Sequence, residues 1–167
     1  MDNNVGIKEL TLESFQIYGS FAKLLNPKGP KLEMGPIQFF PDMGFLNLGS
    51  TSTAAFSIVR AQKRENIINY VECHMHTGEG TLPLDGDVLV FVAPATPKDV
   101  IPLDKIEVFH VPKGTLITLR PGVWHGTPFA ENSDVVHVMI ILPERTYVND
   151  AYFYNIPKEK EIRIVES

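Results

Sequence analysis

From Pro36 onward the chain is a succession of short apolar or alternating runs: IQFF, FLNLG, AAFSIVRA, IINYVECHMH, DVLVFVA, KIEVFHV, TLITLR and DVVHVMIIL. They are rich in Val, Ile, Phe and Thr, side chains that suit a pleated, half-buried surface. Turn signals such as GEG, LDGD, APATP, PKG and RPG separate most of them. Many short strands at close spacing specify an all-β sandwich or barrel, and exclude alternating βαβ units, which need helical stretches between the strands.

One stretch before Pro36 reads as helix. In TLESFQIYGSFAKLL (Thr11–Leu25), Thr11 can cap the N-terminus, Glu13 suits the first turn, and Leu12, Phe15 and Tyr18 fall near helical spacing. Gly19 ends or kinks it, so a helix over Thr11–Tyr18 is expected, packed outside the barrel. Asn26–Pro36 (NPKGPKLEMGP) reads as loop. The tail IPKEKEIRIVES alternates at Ile162 and Ile164, which suits a final edge strand or a covering arm.

Composition narrows the setting. With 167 residues, 44% hydrophobic and 21% charged, the chain suits a single domain over residues 1–167 with a sizeable core. A net charge of −5 argues against a nucleic-acid partner. No apolar run is long enough to span a bilayer, and MDNNVGIKEL has neither a basic start nor an apolar segment of signal-peptide type. Cys73 is the only cysteine, which fits a reducing compartment. The expectation is a soluble, cytoplasmic protein with no membrane partner.

The chemistry concentrates in VECHMHTGEGTLPLDG (Val71–Gly86). On a strand over Ile67–His76, the side chains of Tyr70, Glu72, His74 and His76 share one face, and Val71, Cys73 and Met75 the other. Two readings stand: a polar face turned to water, as in many antiparallel sheets, or a polar face lining the inside of a small barrel. His-x-His puts two imidazoles on one face roughly 7 Å apart along the chain. Glu79 follows just past the strand, and PGVWH delivers His125 after a Pro-Gly turn. Imidazole plus carboxylate suits Zn, Ni, Fe or Mn, so His74, His76, Glu79 and His125 are candidate ligands of a divalent metal.

HMHTGEGTLPLDG resembles the first cupin motif: His-x-His, a Glu, then six intervening residues and Gly86. Two residues, Thr77 and Gly78, separate His76 from Glu79, where that family usually has three or four. KGTLITLRPGVWH resembles the second motif through Gly114, Pro121-Gly122 and His125. A likeness over nearly the whole chain is carried by TLESFQIYG, VRAQ (Val59–Gln62), ECH (Glu72–His74), LPLDGDVLVFVA (Leu82–Ala93), GVWH and NIPKEKEIRI. These resemble the ureidoglycolate lyase family, a cupin branch that splits ureidoglycolate into glyoxylate and urea.

The resemblance implies a cupin double-stranded β-helix, a jelly-roll barrel over about Gln38 to Leu142, and a homodimer. It also implies a small carboxylate substrate, with Glu72, His74 and His125 catalytic. Arg60 matches the arginine of the family's Arg-Ala pair. Facing inward it could hold a carboxylate; facing outward it is a solvated strand-end charge. His137 stands where the family pattern tends to have an Asp, and reads either as a substrate or metal contact or as a satisfied core histidine. The family usually has Glu-Arg-His at Glu72-Cys73-His74, Gln at Glu79, no His at His76, and Trp-His-His at Trp124-His125-Gly126. The polar lining is thus altered within a retained framework. That leaves open a metal cupin isomerase or lyase acting on another hydroxy or sugar acid, or a cupin that binds a small acid without turnover. His110 has no motif partner and reads as a strand residue with a local hydrogen bond. Trp124 and Cys73 read as packing residues.

Overall fold

Strands dominate the structure, a computed structural model describing residues 3–166. A nine-stranded sheet runs, in hydrogen-bonding order, Tyr152–Asn155, Tyr70–Cys73, Trp124–His125, Val88–Ala93, Glu107–Val111, Asn4–Glu9, Ile162–Val165 and Ile67–Ile68, with Phe129–Ala130 also pairing to Val88–Ala93. A five-stranded sheet runs Gly19–Lys23, Thr115–Leu119, Glu79–Pro83, Val135–Pro143, Ala54–Gln62. The two sheets curl into a half-barrel, the all-β architecture that the strand spacing leads one to expect. Among the described residues, no helix is long and apolar enough to cross a membrane.

Alternation decides what each sheet buries. Val88, Val90 and Val92 of the large sheet face Ile117, Leu119, Val136, Val138 and Ile140 of the small sheet across the interior. The intervening Leu89, Phe91 and Ala93 point the other way, into a second core with Val108, Trp124, Phe129, Ile156, Ile162 and Ile164. Val88–Ala93 is therefore buried at all six positions, which is why DVLVFVA reads as an unbroken apolar run rather than an alternating one. The outer face of the small sheet is apolar and open, with Phe56 and Ile58 68% and 55% exposed beside Met139 and Ile141 in register.

The N-terminal segment differs from its sequence expectation. The helix is one turn, Leu12–Phe15, closed by a capping box in which Thr11 Oγ1 accepts from the Ser14 N–H and Ser14 Oγ from the Thr11 N–H. Gly19–Lys23 continues as a strand because its backbone pairs with Thr115–Leu119, a long-range partner that helical spacing does not register. Nor does the turn lie outside the barrel. Phe15 and Tyr18 are 0% and 1% exposed and pack edge-to-face with Phe109 in the interior core. Burying each ring contributes about 1.5–3 kcal/mol.

Asn4–Glu9 pairs in parallel with both Glu107–Val111 and Ile162–Val165. The tail strand is consequently not the edge; Ile67–Ile68 covers it. Leu32–Met34, expected as loop, forms an exposed hairpin with Ile37–Phe39. FLNLG, expected as a strand, is irregular; the Asn47 carbonyl binds the Gly78 N–H and the Thr77 hydroxyl instead of a ladder.

Candidate functional site

The strand Tyr70–Cys73 stops one residue short of His74, and Asp150 is the reason. Its carboxylate accepts the backbone N–H of Met75 at 3.0 Å and of His76 at 2.8 Å, donors that would otherwise extend the ladder. Its carbonyl oxygen accepts from His74 Nδ1 at 2.7 Å. The chain then crosses to the small sheet, held midway by Asn47, and Glu79 opens the strand Glu79–Pro83. His125 arrives by the Pro121-Gly122 turn. Gly122 has φ +79°, which a side chain would strain, and its N–H donates to the His74 carbonyl at 2.6 Å. In the large sheet His125 lies in register with Glu72 on one side and Val92 on the other, so all three share the interior face.

Glu79 meets both histidines across the gap between the sheets. Its Oε2 is 3.3 Å from His74 Nε2 and 3.3 Å from His125 Nε2, and its Oε1 accepts from Thr81 Oγ1 at 3.0 Å. His74, Glu79 and His125 are 4%, 8% and 3% exposed, so water does not serve this cluster freely. Both rings are oriented from behind, because His125 Nδ1 donates to the Val123 carbonyl at 2.9 Å as His74 Nδ1 does to Asp150. Each Nε2 is thereby left facing the carboxylate. Bare lone pairs converging on an anionic oxygen repel, so a positive centre belongs among the three atoms, either a ring proton or a metal ion. The spacing fits an ion: 3.3 Å exceeds a charge-assisted hydrogen bond and approaches the edge, about 3.4 Å, of a tetrahedron with ~2.1 Å bonds.

The electrostatics agree. Burial alone would raise the Glu79 pKa, but the charge and hydrogen bonds of His125 and His74 outweigh it and hold the carboxyl well below the usual range. Burial alone would lower His125; the adjoining Glu79 and, behind it, Glu72 raise it to about 9. Glu72 is raised, chiefly by burial and further by Glu79, against the opposing pull of His125 and His74. Two carboxylates share one enclosure with opposite shifts, the arrangement that separates a fixed anion from a group able to carry a proton.

Of the residues singled out in the sequence, His74, Glu79 and His125 come together, with Glu72 on the same interior face. His76 does not join them. Strand alternation fails beyond Cys73, the bend turns His76 out to 80% side-chain exposure, and its Nδ1 pairs with Asp150 at 3.0 Å. Arg60 and His137 lie opposite one another in the small sheet, on the face away from Ala61, Val136 and Val138, and so outside the interior. His137 Nδ1 pairs with Asp85 at 2.6 Å at the surface. Asp150, Asn47 and Thr81 escaped sequence reasoning. Thr81 was accessible to it, two residues beyond Glu79 on the same strand face; Asp150 and Asn47 act over 74 and 30 residues of chain and left no local signal.

A protein-family model described as ureidoglycolate lyase matches residues 2–158. The chain belongs to the ureidoglycolate lyase family. No curated protein matches it. Among solved structures it is similar to RmlC from Streptococcus suis in complex with dTDP-D-xylose, at 13% identity and TM-score 0.46, covering 69% of this chain and 61% of that one. It is also similar to a dTDP sugar isomerase from Desulfovibrio desulfuricans, at 15% identity, TM-score 0.47 and coverages of 84% and 85%. A third is a variant of the 3,4-ketoisomerase QdtA from Thermoanaerobacterium thermosaccharolyticum in complex with TDP-4-keto-6-deoxyglucose, at 13%, 0.44, 79% and 84%. This family member thus spans less than two thirds of the RmlC chain.

Proposed function

We propose that this chain is a metal-dependent ureidoglycolate lyase, cleaving the C–N bond of ureidoglycolate to release glyoxylate and urea. The observation that carries the metal is the convergence of His74 Nε2, His125 Nε2 and Glu79 Oε2, with both Nδ1 atoms committed to backbone carbonyls. A divalent ion held there by His74, Glu79 and His125 would act as a Lewis acid, lowering the pKa of the substrate hydroxyl.

The remaining chemistry belongs to side chains. Cleavage requires that the hydroxyl lose its proton, that the C–N bond break as the carbonyl of glyoxylate forms, and that the departing urea nitrogen gain a proton. Glu72, on the interior face beside His125 and raised by burial, is suited to take the first proton and return it to the nitrogen. Burial of the cluster excludes the water that would compete for these transfers.

One observation favours a second reading. Arg60, the candidate carboxylate clamp, lies on the outer sheet face with His137, so a metal cupin acting on a different hydroxy or sugar acid keeps its standing. Metal-loaded protein assayed for glyoxylate and urea from each ureidoglycolate enantiomer separates the two readings. Turnover lost in His74→Ala together with the metal supports the lyase. No turnover on either enantiomer, with activity on another 2-hydroxy acid, replaces it.

The reaction is proposed for a cytoplasmic homodimer. Buried, unpaired Cys73 supports a reducing setting. The open apolar face bearing Phe56 and Ile58 supports self-association. Sedimentation equilibrium at micromolar concentration should give the dimer mass, and Ile58→Glu the monomer mass; a monomeric wild type removes the dimer.

A further inference from the structure

A second convergence of metal-ligating groups sits on the opposite face of the large sheet, and register explains it. His110 pairs with Leu89, and Phe129 pairs with Leu89 from the other side. Asp87 is two residues before Leu89, and Glu131 two residues after Phe129, so Asp87, His110 and Glu131 all project on the face opposite Val88 and Val90. Three neighbouring strand ends thus supply one ligand atom each. His110 Nε2 is 3.4 Å from Asp87 Oδ2 and 3.2 Å from Glu131 Oε2.

The local hydrogen bond expected of His110 is not sufficient for this cluster. Asp87 Oδ1 is fixed by the Lys113 N–H at 2.8 Å, which aims Oδ2 at the histidine. Glu131 Oε2 is buried and accepts no hydrogen bond among the described residues. One Nε2–H cannot serve both carboxylates, so a buried carboxylate oxygen remains without a donor, a costly arrangement unless a cation completes it. The separations repeat those between Glu79 and its two histidines. The side chains of Asp87, His110 and Glu131 are 36%, 27% and 23% exposed, which leaves an ion a path from solvent.

We propose that Asp87, His110 and Glu131 form a second divalent-cation site, one that ties together three strand ends remote from His74, Glu79 and His125. Two carboxylates and one imidazole place it among Zn²⁺ and Mn²⁺ sites rather than soft-metal sites. The ion would be structural, and the proposal is independent of the reaction proposed above.

The test uses untagged full-length protein, stripped with chelator and dialysed at equilibrium against micromolar Zn²⁺ or Mn²⁺ alone, with bound metal counted by mass spectrometry. The expected result is one ion fewer per chain in His110→Ala and in the near-isosteric Glu131→Gln than in wild type. The ion should persist in His74→Ala, and its addition should raise the Tm of His74→Ala but not of His74→Ala/Glu131→Gln. Equal metal content in wild type and Glu131→Gln overturns the site, leaving a histidine ion-paired to two acids. Loss in Glu131→Gln with none in His74→Ala refutes the first metal centre and keeps the second. Should His110→Ala not fold, Glu131→Gln alone decides.

Discussion

Glu79 and Glu72 are both glutamates with side chains inside the half-barrel, and their surroundings give them different chemistry. Glu79 faces two imidazole nitrogens and a threonine hydroxyl, all of which favour the anion. Glu72, in register with His125, is raised mainly by burial. Glu72→Gln preserves shape and removes only the proton-carrying function. It should lower kcat for glyoxylate release by about 10²-fold or more, the ordinary size of a lost general acid–base step. Bound metal and Tm should stay near wild type. Unchanged kcat would leave the cleavage proposal standing and remove Glu72 from it.

At the scale of elements, the site depends on where one strand ends. Asp150, at the end of the short helix Thr146–Asn149, captures the N–H groups of Met75 and His76 and orients His74 through its own carbonyl. Asp150→Ala leaves two backbone donors without their acceptor, at a cost of about 1–3 kcal/mol where they remain dry. Loosening the ring of His74 should also weaken metal binding by about 10- to 100-fold. Thermal unfolding and a metal titration check the two effects separately. A lower Tm with unchanged metal affinity would show that Asp150 holds the loop without positioning the ligand. Gly126 shows the same dependence on neighbours: a Cβ there would overlap the Phe91 ring, so that ring occupies the space a larger residue after His125 would need.

At the scale of the molecule, stability should depend on pH in two directions. Asp150 is held below its usual pKa: burial would raise it, but the hydrogen bonds from His76 and Met75 prevail. Glu79 is depressed as well. Their contribution is present above the unfolded carboxyl range and is lost as pH falls through their lower folded values, so acid should unfold the protein. His125 is raised from 6.5 to about 9 in the metal-free protein. Its contribution is complete below 6.5 and is lost as pH rises through about 9. Metal-free protein should therefore lose stability between these values, by on the order of a few kcal/mol. Metal-loaded protein should not, since an ion in place of the proton needs the deprotonated ring. Melting temperatures of both forms across that interval check this, and parallel curves would refute the exchange of proton for ion.

The all-β class and most of the strands were legible in the amino-acid sequence because alternation and turn residues act locally. The same local rule put Glu72 and His74 on one face, and the Pro-Gly turn singled out His125. Alternation carried on too far at His76, because nothing within that segment signals that Asp150 will end the strand. Arg60 matched a family position, yet which face of its strand turns inward is settled by Val59, Val136 and Val138 packing against the opposite sheet. The helix expected over Thr11–Tyr18 shrank to one turn, and Gly19–Lys23 beyond it became a strand because Thr115–Leu119 offers a full ladder. What the sequence determined by itself was periodicity and chemical type, set by neighbours along the chain. The tertiary structure decided strand ends, facing and the meeting of Glu79 with two histidines, since each depends on hydrogen bonds and burial between residues far apart in sequence.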